Sequence, residues 1–266
     1  MSRLSLVMLA LVAAEMPPAL SQMADTERAF ARRAAQVGVR DSFLEFFADD
    51  AVRFDREPGP AKPFLQQLKP QPPSVVELNW EPRYGDVAAS GELGYLTGPA
   101  SRIVHTDPQQ PVTELAYFSI WKRQSDGQFK VVIDQGITTP QAVAFPQGFT
   151  RADVSDRYSG SAADARSTLE RADREARPAL TKDAHIYRDG MMPFVAEAAR
   201  RLLLEVERAR TTESLHAEAA KSGDLGFTYG RYALKDESGH YVRVWTRTRG
   251  GKWQVAFEVT APRRSG

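Results

Sequence analysis

The sequences SGELGY at residues 90–95 and SGDLGF at residues 222–227 are nearly identical and lie 132 residues apart. Shorter matches follow in the same order on either side of this pair. They are residues 50–54 with 183–187, 63–64 with 193–194, and 117–121 with 241–245. A repeat of this length is the size of a domain, far longer than the roughly 20–50 residues of a solenoid unit. The sequence therefore predicts two related domains, at residues 24–140 and 151–262, joined by a linker at residues 141–150.

Within each half, helical patterns come first and alternating strand patterns follow. In the first half, Asp25 is placed to cap a helix that ends at Gly38, and residues 41–47 predict a second, short helix. In the second half, residues 161–164 resemble a capping box, and residues 194–208 predict a long helix. Apolar residues then alternate in segments of the first half, at 76–80, 93–95, 117–121 and 129–133. Helices followed by antiparallel strands predict an α+β fold for each domain.

The composition excludes several classes of protein. Of the 266 residues, 42% are hydrophobic and 26% are charged, which is typical of globular domains. Lys and Arg number 35 against 34 Asp and Glu, so there is no excess positive charge for binding nucleic acid. The chain has no cysteine, which excludes disulfides, thiolate metal sites and cysteine nucleophiles.

The first 21 residues predict a cleaved secretory signal peptide. Arg3 precedes the apolar run LSLVMLALVAA at residues 4–14, which is too short to span a bilayer. Small residues at positions 19 and 21 suit a signal peptidase, so we expect a periplasmic or secreted mature chain that begins at Gln22. Because no cysteine follows the apolar run, a lipid anchor cannot be attached there. The alternative is a buried N-terminal helix.

The order of several fragments resembles the nuclear-transport-factor-2-like superfamily, in particular its SnoaL-like and ketosteroid-isomerase-related domains. In the first half these fragments are Phe30-Ala31, Gly38, Phe43, residues 48–52 (ADDAV), Pro63-Phe64 and the Trp121, Gly127 and Phe129 hairpin. The resemblance covers most of both halves. It implies that each half is a curved antiparallel sheet wrapped around N-terminal helices, a cone whose open end is the ligand pocket. It also implies that the halves pair through their sheets as an internal pseudo-dimer.

Asp55 is the candidate catalytic residue. It follows the first predicted strand, and the resemblance places it where ketosteroid isomerases carry their general base. A carboxylate in an apolar pocket has a raised pKa and can transfer protons near neutral pH. The alternative is a turn aspartate before Pro58-Gly59. Two departures favour the turn: the second half has Arg188 at the equivalent position, and the first helix offers Phe30-Ala31 where the family carries a tyrosine.

Aromatic residues and one arginine are the candidate ligand-binding residues. They are Trp80, Tyr95, Trp121, Tyr187, Tyr229, Arg243 and Trp245. Aromatic rings can line a pocket and a guanidinium can hold a carboxylate, while the alternatives are core packing and an exposed cross-strand pair. Asp134 and Glu258 occupy the same strand position in the two halves. Simple alternation with the neighbouring aromatic residues predicts that both acids face away from the helices, toward solvent or the other sheet.

No metal or cofactor is predicted. The four histidines are far apart in sequence, and the chain has no Walker loop, no Gly-x-Ser-x-Gly elbow and no Gly-x-Gly-x-x-Gly motif. Three functions stay open. The chain is an exported protein that binds a small apolar or carboxylated molecule, or an isomerase-, dehydratase- or cyclase-type enzyme with Asp55 as base, or a structural module. Binding is favoured because neither half carries a complete catalytic set.

Overall fold

The computed structural model describes residues 16–54, 57–107, 109, 112–175, 177–235 and 237–263. The candidate base Asp55 and most of the predicted signal peptide lie outside the described residues. Among the residues that are described, no helix is both long enough and apolar enough to cross a membrane.

The first half consists of three helices followed or interleaved by eight strands. They are α1 (Pro18–Val37), α2 (Val39–Phe46), β1 (Phe47–Phe54), β2 (Pro58–Pro60), α3 (Ala61–Gln67), β3 (Val76–Trp80), β4 (Tyr84–Val87), β5 (Leu93–Val104), β6 (Thr113–Arg123), β7 (Phe129–Thr138) and β8 (Thr150–Arg151). The strands form one sheet in the order β2-β1-β7-β6-β5-β4-β8, and β3 also pairs with β5. Residues 150–151, at the end of the predicted linker, thus belong to the first sheet.

The second half repeats this arrangement with fewer elements. They are α4 (Ala165–Asp173), β9 (Leu180–Tyr187), β10 (Phe194–Val195), α5 (Glu197–Arg201), a π-helical turn (Leu202–Val206), β11 (Thr211–Ala219), β12 (Leu225–Leu234), β13 (Glu237–Arg247) and β14 (Trp253–Pro262). The sheet order is β10-β9-β14-β13-β12-β11. Both halves place a first strand parallel to a last strand, with the other long strands antiparallel. The predicted α+β class with two curved-sheet halves is confirmed.

Three predicted helices have different bounds in the structure. The first begins at Pro18 rather than Asp25, because a proline at the first helical position loses no hydrogen bond. As a result, Leu20 is buried and the predicted cleavage bond after Ser21 lies inside α1. The helix predicted at residues 161–178 shortens to α4, because the carboxylate of Asp164 pairs with Arg247 at 3.0 and 3.1 Å instead of capping the helix.

The long helix predicted at residues 194–208 is wrong. Phe194 and Val195 pair with β9 as the short strand β10, since Phe194 lies opposite Ile186. Ala196 then has a positive φ of 52°, which separates this strand from the helical residues that follow. A helical spacing of apolar residues therefore did not exclude a strand at its beginning.

The two sheets contact each other through one face of each. Phe118 of the first sheet stacks on Phe257 of the second with 4.1 Å between ring centroids. The hydroxyls of Thr97 and Tyr187 are 2.8 Å apart. The repeated loops also meet: the Ser90 amide donates to Ser222 Oγ at 3.1 Å, and the Ser222 amide donates to Ser90 Oγ at 3.0 Å. Equivalent residues thus contact each other reciprocally, as in a two-fold symmetric interface.

A β-bulge near the middle of the last strand of each half decides which face its acidic residue occupies. In β7, Ile133 pairs with Ile120 but Val131 pairs with Trp121, so Val132 is an extra residue. Phe129 and Val131 pack with the helices, whereas Ile133 packs with the other sheet. Because one extra residue reverses the alternation, Asp134 returns to the helix face.

The same bulge occurs in β14, where the extra residue is Ala256. Glu258 therefore also lies on the helix face of its sheet, opposite Arg243. The prediction that Asp134 and Glu258 face away from the helices is wrong for both, because strict alternation does not survive an inserted residue.

Candidate functional site

A cavity of about 460 Å³ lies in the first half and is the principal candidate site; we call it the first-half cavity. Its volume is within the range of roughly 300–1,000 Å³ common for small-molecule sites. The side chains lining it are mainly aromatic and aliphatic, with an arginine, a glutamine and two aspartates among them. The lining residues are Phe43, Phe47, Arg53, Phe54, Ala61, Phe64, Leu65, Asp134, Gln135, Gly136, Asp189, Thr260, Ala261 and Pro262.

Asp134 is the ionisable group that gives this cavity its chemistry. The β7 bulge directs it to the same face as Ser119, its partner in the β6–β7 register. No described residue donates a hydrogen bond to its carboxyl group. Burial, and in second place the negative charge of Glu27, raise the pKa of Asp134 to about 8. At neutral pH the side chain is therefore mostly a neutral carboxylic acid, which can donate a hydrogen bond.

Glu27 is the second buried carboxyl group of the first half, and its surroundings differ from those of Asp134. Its oxygens accept hydrogen bonds from Trp80 Nε1 at 2.7 Å, Ser119 Oγ at 2.6 Å and Trp121 Nε1 at 2.8 Å. Burial raises the pKa of Glu27, while these three donors act in the opposite direction. Because an indole nitrogen can only donate, the site favours negative charge on Glu27 and leaves the proton on Asp134.

Arg53 supplies positive charge at the wall of the cavity. Its guanidinium lies 3.9 Å from the centre of the Phe64 ring, a cation–π contact that orients it. Phe64 is 36% exposed, so this wall is the part of the cavity nearest to solvent. An aromatic ligand with a carboxylate or another oxygen acceptor would find a cation here and a neutral acid at Asp134.

In the second half, six charged side chains occupy the interior in place of an open cavity. We call Asp173, Arg188, Glu207, Arg210, Arg243 and Glu258 the second-half ion cluster. Glu258 accepts bonds from Arg210 at 2.7 and 2.8 Å, from Arg188 at 2.6 Å and from Arg243 at 2.7 Å. Burial alone would raise the pKa of Glu258, but the three arginine charges hold it well below its ordinary value.

The two halves carry their buried acids at matching places but use them differently. Met23 on α1 and Leu169 on α4 each approach the second glycine of the repeated loop, Gly94 and Gly226. Four residues further along each helix stand Glu27 and Asp173. Asp173 contacts Arg243 at 2.9 Å, and the cavity beside the cluster is only about 20 Å³, room for about one water molecule.

The structure places the sequence-predicted ligand residues away from the lining of the first-half cavity. Trp80 and Trp121 hold Glu27, and Tyr95 and Tyr187 are buried between the sheets. Trp245 is buried and donates to Thr228 at 2.9 Å.

Arg243 and Tyr229 complete that set. Arg243 is 1% exposed and belongs to the ion cluster, so the expectation of an exposed cross-strand pair is wrong for it. The ring of Tyr229 is half-buried and stacks on His216, with 4.9 Å between centroids.

Sequence reasoning missed Glu27, Arg53 and the phenylalanine lining, and it assigned Asp134 to the wrong face. One signal was present in the sequence. Along α1 the buried side chains follow helical spacing, and Glu27 stands among them, between Met23 and Phe30. A glutamate on an apolar helical stripe indicates a buried, hydrogen-bonded carboxyl group. The bulge at Val132 has no comparable signal.

Each half of the chain resembles solved structures of the nuclear-transport-factor-2-like fold. No family model and no curated protein matches the sequence. A ketosteroid isomerase-like protein from Erwinia carotovora is 10% identical, with a TM-score of 0.36, and the match covers 46% of this chain and 98% of that chain. Nuclear transport factor 2 from Cryptosporidium parvum is 11% identical, with a TM-score of 0.32, and the match covers 47% and 98%.

A protein of unknown function with a cystatin-like fold from Nostoc punctiforme is 9% identical. Its TM-score is 0.33, and the match covers 50% of this chain and 98% of that chain. All three matches span about half of this chain, and the likeness concerns the fold alone.

Proposed function

We propose that the first-half cavity binds a small aromatic molecule that carries a carboxylate or another oxygen acceptor. The observation that carries this proposal is a carboxylic acid with a pKa of about 8 in a phenylalanine-lined cavity. Aromatic walls bury apolar surface, Arg53 supplies positive charge, and neutral Asp134 donates a hydrogen bond to the ligand oxygen.

A titration with 2-naphthoate, an intrinsically fluorescent aromatic carboxylate, tests this proposal. Ionised Asp134 repels the ligand, so the Kd of the wild type should rise about tenfold between pH 7 and pH 9. In Asp134→Asn the side chain keeps a donor and cannot ionise, so its Kd should be constant over the same range. Asp126→Asn, at an exposed position in the β6–β7 turn, is the matched control and should follow the wild type. A wild-type Kd that is independent of pH would refute the role of Asp134.

A second candidate function is acid–base catalysis in the same cavity. It is favoured by two neighbouring carboxyl groups whose environments push their proton affinities apart, a pattern typical of acid and base partners. In this proposal Asp55 removes a proton from carbon beside a carbonyl, and neutral Asp134 donates a hydrogen bond to the enolate oxygen.

Hydrogen–deuterium exchange of an enolisable ketone distinguishes catalysis from binding. The wild type is incubated with 2-tetralone in D₂O, and deuterium incorporation beside the carbonyl is followed by NMR. An enzyme should accelerate the exchange, and Asp55→Asn should abolish the acceleration. Equal rates with wild type, Asp55→Asn and no protein would leave binding as the function.

We also propose that the chain is exported, with the leader removed before Gln22. The sequence of residues 1–21 supports this proposal. Mass spectrometry of the exported fraction should show a chain that begins at Gln22, and a retained Met1 in that fraction would contradict it.

A further inference from the structure

The first-half cavity is closed on one side by residues of the second half. Asp189 and residues 260–262 line it beside the aromatic residues of the first half. Asp189 is fastened to β7, because its carboxylate accepts bonds from the Thr138 amide at 2.8 Å and from Thr138 Oγ1 at 2.7 Å. The Gly190 amide also donates to the Thr138 carbonyl at 3.0 Å. The wall is thus held where β7, the strand of Asp134, ends.

Both wall segments continue directly from members of the second-half ion cluster. Arg188 precedes Asp189 in the chain, and Glu258 lies two residues before Thr260 on β14. Arg188 makes a bidentate pair with Glu207 at 2.6 and 2.7 Å and a third bond to Glu258 at 2.6 Å. The cluster therefore ties together the two chain segments that form the wall.

We propose that the second half is a positioning unit: its ion cluster, led by Arg188, fixes the wall that completes the ligand cavity of the first half. The binding consequence rests on the proposed function, whereas the structural coupling does not. Arg188 is a positioning residue, since it acts through Asp189 and does not line the cavity. Filling the second interior with charge thus serves the open cavity of the other half.

The test removes one ion pair from the cluster without leaving a buried charge unpaired. Arg188→Met combined with Glu207→Gln deletes one positive and one negative charge, and Glu258 keeps Arg210 and Arg243. The matched control is Arg247→Met combined with Asp164→Asn. It removes a bidentate pair of the same half that touches neither the cluster nor the wall.

Amide hydrogen exchange reports on the wall without any ligand. In the cluster variant, the amides of Thr138 and Gly190 should exchange about tenfold faster or more, while the control variant should match the wild type. The Ser222 amide, which also bonds across the halves, should stay protected in both variants and show that the halves remain together. Unchanged protection of Thr138 and Gly190 in a folded cluster variant would overturn the proposal, as would equal loss in the control.

Binding of 2-naphthoate then separates this proposal from the proposed function. The cluster variant should bind about tenfold more weakly than the control variant, with the pH midpoint of its residual binding also shifted, because the wall borders Asp134. If the wild type binds no naphthoate, the proposed function fails and the exchange comparison still decides the positioning role. Equal affinity in both variants, with a wild type that binds, would overturn the positioning of the site.

Discussion

Replacing Asp134 by asparagine should stabilise the protein at alkaline pH and leave its stability unchanged in acid. The folded pKa of Asp134 is about 8, against an ordinary value of 3.8. Between these two values the folded chain holds a proton that the unfolded chain has released. Stability of the wild type therefore falls as the pH rises from about 4 to about 8 and is then constant, as far as this group is concerned.

The size of the effect follows from the shift in pKa. The difference is about four pH units at roughly 1.4 kcal/mol each, so the upper limit is about 6 kcal/mol. The carboxyl group borders an open cavity, and solvent there reduces the penalty of ionisation. We expect about half of the limit, ~3 kcal/mol, which corresponds to roughly 6–12 °C in Tm for a chain of this size.

Thermal unfolding of the wild type, Asp134→Asn and the control Asp126→Asn at pH 5 and pH 9 measures this effect. Asp134→Asn should match the wild type at pH 5 and exceed it at pH 9, and the control should match it at both. A difference between Asp134→Asn and the wild type that is the same at both pH values would mean that Asp134 is ionised throughout. The assignment of the proton to Asp134 would then be refuted.

Two further predictions concern the neighbouring carboxyl group and the contact between the halves. Glu27→Gln removes the charge beside Asp134, so carbon NMR should show the Asp134 titration midpoint lower than in the wild type; an unchanged midpoint would deny the coupling. Residues 16–152 and 153–263, expressed separately, should associate or aggregate in light scattering, since each exposes the apolar sheet face around Phe118 or Phe257. Two stable monomers would contradict the pseudo-dimer.

The order of helices and strands could be predicted because it rests on periodicity and on the duplicated loop. SGELGY and SGDLGF place β5 and β12 at matching positions, and the structure has these strands begin at Leu93 and Leu225. The helix start at Pro18 was missed because two adjacent prolines were taken as an end of helix, although the first helical turn accepts them.

The candidate site was harder to predict, because it depends on a single inserted residue and on contacts between distant segments. Val132 resembles its neighbours Val131 and Ile133, so nothing in the local sequence shows which of them is extra. The cavity wall at Asp189 and Thr260 comes from the other half and is visible only once the sheets are packed. A buried glutamate on α1 was the one component that helical spacing alone could have indicated.

The reciprocal contact of Ser90 with Ser222 has a consequence for how such a pair of domains can diverge. In a dimer of identical chains, every substitution occurs twice, so a change that fills one interior with charge also fills the other. Joining the two copies in one polypeptide removes that constraint, and each copy can change by itself. One interior could then become occupied by arginine and glutamate pairs while the other stayed open. Covalent fusion is therefore what permits a shared architecture to support two unequal interiors.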